Sequence, residues 1–436
     1  MKKDLSVVDC VRCSYERIGK PKSVLLAYSG GADSTSLLYA LLKLREEEVL
    51  TLTCVHINHQ IRDASIQEEE RVKNHLQSLG VALLIKRVIV SREGNLEANA
   101  REARYQALYG AMKDTGSEVI ALAHHANDQA ETMLMRLMYG TGLAGLAGMS
   151  EMNGALWRPL LQIPKHKLIT YLEGQNTQWL HDESNDNPSF MRNSIRIRLI
   201  PWIEEASPGA CERMAQTAAL LQDENIAWKR YEDEWLGKHA KTLPPFVFLC
   251  TGPLACESAA LQRRVLRRLC QIYDIDLDFR QTEALRRLVD SAPGTALNLP
   301  GGIKAFRTKK RLHILPDAVE SMHVSWPQPI VSDVTGSLGN GRQVQTFDAR
   351  RLEGAIVRQA KPGDRIVPLG MTGSMTLAKY LASRGVDQPL RQFWPVLAKG
   401  REVFWAIGHG PSQTAAVTSD TEQRICLFFD ARLPDE

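Results

Sequence analysis

The sequence predicts an α/β protein: a parallel sheet with helices on both faces, followed by two smaller α+β domains. Three observations carry that expectation. Over the first half, short apolar runs alternate with longer helix-like stretches, the rhythm of a parallel sheet built from strand–helix–strand units. The apolar runs are leucine-rich and β-branched without clean polar alternation, as strands buried on both faces are. Past about residue 200 the rhythm stops, and glycine- and proline-punctuated short strands mix with helices.

Taken in order, the strand-like runs are "SVLLAY" (23–28), "TLTCVHIN" (51–58), "ALLIKRVIV" (82–90) and "VIALAH" (119–124). Helix-like stretches start at Asp33, Ser65, Asn95 and Asp128. Ligands of open parallel sheets sit beyond the carboxyl ends of the strands. "SGG" follows the first strand and "HHAND" the fourth, so both belong at one rim. These elements assign residues 1–210 to a catalytic domain. "PWIEEASPGACERMAQTAALLQDENIAWKRYEDEW" reads as a long polar helix that opens a second domain, 211–320. The aperiodic, proline-bearing "PDAVESMHVSWPQPIVSD" marks the passage to a third, β-rich domain, 321–436.

A chain of 436 residues exceeds one compact core. Its 44% hydrophobic and 24% charged content is that of an ordinary globular protein. A net charge of +4 is too small to argue for nucleic acid by itself. The eight cysteines are scattered, and the lone C-x-x-C, Cys10 and Cys13, lacks a second pair to complete a zinc site. Reduced thiols, no signal-peptide core and no apolar run of bilayer length give the expectation of a cytoplasmic protein without a membrane partner.

"AYSGGADSTSLL" (27–38) is the most informative stretch. A glycine pair after a strand lets backbone N–H groups converge on an anion, and the helix that follows adds its positive end. Ser29 and Ser34 add hydroxyl donors around Gly30, Gly31 and Ala32, which suits a pyrophosphate-sized anion. Asp33 would repel that anion unless a cation lies between them, so it predicts Mg2+ bridging carboxylate and phosphate. The plainer alternative is a turn in which serine and aspartate cap the helix.

On the opposite loop, His124 ends the fourth strand, and Asp128 and Glu131 lie three apart near a helix start. That spacing lets both carboxylates face one site, but acids in a first turn also complement the helix dipole. Arg101 and Arg104 share a helical face, and so do Arg192 and Arg196. Each pair can serve as phosphate donors or as a solvated surface pair.

"SGGADS" matches the SGGxDS signature of N-type ATP pyrophosphatases, a class with an adenine nucleotide α-hydrolase-like fold. Within that class the chain resembles the tRNA(Ile)-lysidine synthases. The resemblance runs through "EANAREARYQAL", "AHHANDQAET", "GTGLAGLAGM", "WRPLL" and "HDESNDNPSFMRNSIRIRLIP", and more loosely through "KPGDRIVPLG" and "PVLAKGREVFWAIG". Asn127 departs from it, standing where many relatives have aspartate. "MTGSMTLAKYLASRG" is poorer in lysine than the matching stretch of many relatives. The resemblance implies ATP as substrate, free L-lysine and tRNA(Ile) with a CAU anticodon as partners, and leaves room for a homodimer. It implies that the loop 29–34 binds ATP, and that Arg104, His124, Asp128, Glu131 and Arg196 serve the reaction, the two acids by binding the cationic lysine. Both C-terminal domains are implied to bind tRNA. A tRNA thiolase is the alternative, but it needs core cysteines, and Cys54 alone lies between the loop and residue 210. A non-catalytic nucleic-acid-binding module would have no use for Asp33, Asp128 and Glu131.

Overall fold

The structure, a computed structural model, describes residues 6–58, 65–88, 96–175, 177–180, 191–244, 246–317, 323–331 and 343–434. The chain forms two compact units, Met1–Trp228 and Lys229–Glu436.

In the first unit the elements follow the sequence rhythm. They run α1 (Val7–Arg17), β1 (Ser23–Ala27), α2 (Ala32–Glu47), β2 (Thr51–Asn58), α3 (Ser65–Ser78), β3 (Ala82–Arg87), α4 (Leu96–Thr115), β4 (Val119–Ala121) and α5 (Ala126–Tyr139). There follow α6 (Leu143–Leu146), β5 (Met152–Asn153), β6 (Leu156–Trp157), α7 (Lys165–Glu173) and α8 (Met191–Ser194). A π-helical turn (Ile195–Leu199), α9 (Ile200–Ala206) and α10 (Ala210–His239) complete the series, the last passing the unit boundary. The long polar helix read from the sequence is therefore two helices. Ser207, Pro208 and Gly209 break it, and Glu204 accepts the Gly209 and Cys211 N–H groups at the restart (2.8 and 2.7 Å).

The sheet order is β3-β2-β1-β4-β6-β5, parallel except for β5 at the edge. The order reverses between β1 and β4, and the carboxyl ends of these two strands flank the crevice where such sheets bind ligands. The pleat sends alternate residues to two cores. Val24, Leu26 and Ala121 pack with Leu37, Leu41 and Leu168 of α2 and α7, whereas Leu25, Ile120, Leu122 and Leu156 pack with Leu108 and Ala111 of α4. Helices on both faces thus hold the two loops in register.

Among the described residues, the second unit holds three sheets. One is antiparallel and comprises Ala240–Leu243, Phe246–Cys250, Arg311–Pro316, Ile303–Arg307 and Ala296–Leu299 in spatial order. Another is centred on Pro395–Lys399 and Glu402–Ala406, and a small one pairs Arg424–Phe428 with Ile330–Val331 and Val344–Asp348. Trp394, Trp405, Phe393 and Phe429 fill the core behind the last two. No helix among the described residues is long and apolar enough to cross a membrane.

Gly30 is where the fold meets the loop. Its φ is +83°, and a Cβ there would lie 2.7 Å from Leu180 Cδ1 and 3.2 Å from Val72 Cγ2. Gly30→Ala is therefore expected to cost about 1–3 kcal/mol through backbone strain and to push the loop away from Leu180. A thermal melt should show the loss, and ATP affinity should fall with it; an unchanged melt and unchanged ATP binding would contradict this account.

Candidate active site

The loop after β1 is held by its own polar groups and by one strap. Gly30 O accepts the Leu180 N–H (2.8 Å) and the Thr35 hydroxyl (3.3 Å). Ser29 and Ser34 hydroxyls meet at 3.0 Å, and Ser34 Oγ donates to Gly31 O (3.1 Å). Behind the loop, Tyr28 Oη contacts both Thr35 Oγ1 (3.3 Å) and His75 Nδ1 (2.8 Å). Gly31 is the N-cap of α2, and no side chain caps that end. The capping alternative is thus not what the serines and Asp33 do here. The first N–H groups of α2 are left for a ligand, together with the positive end of the helix. Asp33 Oδ1 is buried and has no hydrogen-bond partner among the described residues.

The loop after β4 supplies the facing wall. His124 and His125 leave an extended strand end, so their side chains diverge. His125 is the one that bridges: its Nε2 lies 3.5 Å from Asp33 Oδ2 and 3.6 Å from Asp128 Oδ2. Its backbone N–H donates to Asp128 Oδ2 (3.1 Å), so Asp128 also performs the helix-start role open to it. Burial pushes the His125 pKa down, but the charges of Asp128 and Asp33 outweigh that and leave it raised. Burial likewise opposes charge on Asp33, yet the hydrogen bond and charge of His125 hold that carboxyl below its ordinary value. Asp128 is lowered too, with His125 as the leading favourable charge against burial. His124 goes the other way. Burial, with the nearby cations of Arg104, Arg158 and Arg192 outweighing a raising contribution from Asp128, takes it down to about 3, so it is neutral at physiological pH.

Asp128 and Glu131 do converge, and what they hold are two guanidiniums. Arg192 Nε donates to Glu131 Oε2 (2.9 Å) and its Nη2 to Asp128 Oδ1 (3.4 Å). Arg196 Nε donates to Glu131 Oε1 (2.6 Å) and its Nη2 to Asp128 Oδ1 (3.0 Å). The Glu131 side chain is only 1% exposed, which makes these partners obligatory for its charge. Arg192 lies on α8 and Arg196 in the π-turn, so the shared helical face expected from their spacing is realised across a change of helix type.

Arg104 is exposed and makes no hydrogen bond or ion pair among the described residues, while Arg101 stacks over the Tyr105 ring at 5.1 Å. Asn127 Oδ1 accepts the Lys165 N–H at the start of α7 (3.0 Å), so the residue at the departing position ties α5 to α7. The segment "HDESNDNPSF" lies outside the described residues. Sequence reasoning missed His125 as the bridging histidine, and gave Arg192 no settled role. The signal was the H-H pair itself, because strand alternation must send one ring to each side.

A glycine loop between a buried parallel strand and an uncapped helix, faced by a histidine–carboxylate wall at the switch point, is the layout of a PP-loop ATP-binding domain, and a family model of that description matches residues 11–203. A second model, described as the TilS substrate C-terminal domain, matches residues 355–427. The tRNA(Ile)-lysidine synthase of Geobacter sulfurreducens is 32% identical, over 94% of this chain and 93% of its own. Those of Thermus thermophilus and Caldanaerobacter subterraneus are 30% and 27% identical, over 96% and 95% of this chain and 75% and 95% of theirs. The chain belongs to the tRNA(Ile)-lysidine synthase family.

The opposed shifts give a pH signature. His125 sits above its ordinary 6.5, so its imidazolium stabilises the fold fully below that pH and loses this effect as pH rises through the raised value. Asp33 and Asp128 sit below 3.8, so their contribution is present above that pH and is lost on acidification. The melting temperature should fall as pH is raised from 6.5, and His125→Gln should remove that part of the slope. Parallel pH–stability curves for the two proteins would refute the bridge.

Proposed function

We propose that this protein ligates L-lysine to the wobble cytidine of the CAU anticodon of tRNA(Ile), using ATP and forming lysidine through an adenylated cytosine. The carrying observation is the chain Asp33–His125–Asp128, which joins an anion-binding loop to a carboxylate–guanidinium cluster at one rim. One half suits pyrophosphate. The other suits an amino acid carrying charges of both signs.

Two steps make up the reaction. The cytosine carbonyl oxygen bonds to the α-phosphorus of ATP, and the bond to pyrophosphate breaks. The ε-amine of lysine then bonds to the activated ring carbon, the bond from that carbon to the AMP oxygen breaks, and the amine gives up a proton. Positioning three substrates is much of the catalysis. Ser29, Gly30, Gly31, Ala32 and Ser34 surround the leaving pyrophosphate with N–H and hydroxyl donors. Arg104, exposed and unpaired among the described residues, contacts phosphate. His124, neutral with Nδ1 buried and partnerless among the described residues, offers a hydrogen bond to the substrate; its depressed pKa makes it a poor proton acceptor.

Mg2+ fits Asp33. The partnerless Oδ1 is an oxygen ligand, and one carboxylate with substrate phosphates is a common way to bind this ion. No cluster of three or more ligating side chains that could hold a metal occurs among the described residues. When bound, the ion neutralises charge on the phosphates.

Lysine binding by Asp128 and Glu131 requires an exchange of partners. The substrate ammonium takes carboxylate oxygens now held by Arg192 and Arg196, and the released guanidiniums turn to substrate anions. The thiolase alternative is disfavoured by Cys54, which is buried in β2 with its thiol pushed well above the usual range by burial. Residues 211–320 and 321–436 supply tRNA contacts in this reading, and the setting is cytoplasmic.

The direct test mixes the protein with ATP, labelled lysine and tRNA(Ile); label in the tRNA with matching pyrophosphate and AMP supports the reading, and its absence refutes it. Asp33→Asn is expected to abolish activity with little loss of stability, and normal turnover in that variant would remove the metal role. Asp128→Asn and Glu131→Gln should each raise the lysine KM about tenfold or more, the worth of a charge-assisted contact, while ATP affinity survives. Glu131→Gln should also lower the melting temperature, because it leaves two guanidiniums against a neutral amide. Unchanged lysine kinetics in both variants would return these acids to a structural role.

A further inference from the structure

Arg158 belongs to the same rim and has no part in the chemistry described above. It directly follows β6, which pairs in parallel with β4 through Leu156 opposite Ile120 and Trp157 opposite Ala121. Leu156 and Leu122 both pack on the α4 side of the sheet, so the pleat directs Arg158 and His124 to that side, while Ala121 and Ala123 pack on the other. His125 accordingly reaches Asp33 from the opposite side. Arg104, on α4, completes the group, and the charges of Arg104, Arg158 and Arg192 all act on the His124 ring.

Arg158 is 5% exposed. Its Nη1 donates to Ser150 O (2.9 Å), and its backbone N–H donates to Glu151 O (2.8 Å). Those contacts describe a strut for the β5–β6 hairpin, and one Nη would be enough for it. The Nε is buried and has no partner among the described residues, nor does the guanidinium pair with any carboxylate there. A buried guanidinium without an anion is costly. The neighbouring His124 Nδ1 is buried and unpaired as well among the described residues. A cationic fork next to a neutral ring is therefore built to receive a small oxyanion. Its burial argues against a polymer backbone phosphate, which needs an open approach, and for the end of a small molecule.

We propose that Arg158 binds the α-carboxylate of the free amino acid, with His124 lining the same pocket, while Asp128 and Glu131 take ammonium. The assignment rests on the lysine-ligase reading. It explains how one rim recognises both charged ends of the substrate, and why contacts to the amine alone would be insufficient: a carboxylate held by a planar fork fixes the distance at which the ε-amine arrives.

The test compares lysine with lysinamide, whose carboxylate is replaced by a neutral amide, in the full-length protein with ATP and tRNA(Ile). The wild type should prefer lysine by about ten- to a hundredfold in kcat/KM. In Arg158→Lys and Arg158→Met that preference should collapse, mostly through the lysine KM. A ratio of two substrates on one protein is insensitive to partial unfolding. Equal losses for both substrates with a lowered melting temperature would leave Arg158 only its strut role. A retained preference with weakened tRNA binding would make it a phosphate contact instead. No preference in the wild type would overturn the carboxylate pocket. Failure of the wild type to transfer either amine to tRNA would sink the ligase reading itself, and this inference with it.

Discussion

Two carboxylates on one turn of α5 hold two guanidiniums, and the architecture of the rim depends on that cluster. Glu131 is nearly inaccessible and Asp128 is buried, so neither could stay ionised in that position without a cation. Arg192 and Arg196 supply it from a segment far along the chain, and in doing so fasten the π-turn to α5. Asp128 passes the constraint on through His125 to Asp33 in the glycine loop. A charge network of three acids and three bases thus ties together the loops after β1 and β4 and the segment of α8 and the π-turn. Apolar packing is non-directional, so the geometry of these polar groups comes from charge-assisted hydrogen bonds.

The cost of the network explains its form. Buried ion pairs contribute little net stability over an apolar replacement, but breaking one partner is strongly destabilising. A cluster of this kind is therefore poor at holding a fold together and good at holding a few atoms in place. The sheet itself needs no such help. Its strands are buried on both faces by α2 and α7 on one side and α4 on the other, and that burial fixes where the strand ends lie. Apolar packing therefore sets the platform, and charge sets the rim.

The platform is legible in the sequence because it is periodic. The four leading strands and the helices between them follow from runs of leucine, valine and isoleucine, and the carboxyl-end rule then puts "SGG" and "HHAND" together. The rim is legible only in part. The convergence of Asp128 and Glu131 follows from their spacing, since three residues on a helix make nearly one turn. Their partners do not, because Arg192 and Arg196 lie some sixty residues away and nothing local requires them to fold back. His125 is hidden behind His124 because burial cannot be assigned within an H-H pair without knowing which face of the sheet carries α2. Similarly, "WRPLL" stands out as a motif, but its arginine gains meaning only with β6 placed beside β4. Sequence periodicity carries short-range geometry; charge pairing over long separations does not leave a period.

A fully paired network has a consequence for how substrates enter. Every acid of the cluster already has a base, so each carboxylate that an ammonium would use is engaged. In the proposed reaction, affinity for lysine comes from exchange: its ammonium replaces a guanidinium on Asp128 or Glu131, and that guanidinium finds an anion in the same event or is left as an unpaired charge. The anions at hand are those of the other substrates. Arg192 and Arg196 are partly exposed, so they can turn where Glu131 cannot. Lysine binding should then be favoured by a phosphate already present at the rim, whether from ATP or from the adenylated cytosine. In that reading the coupling orders the two steps, because the amine gains its carboxylates most readily when the activated base is there to occupy the arginines.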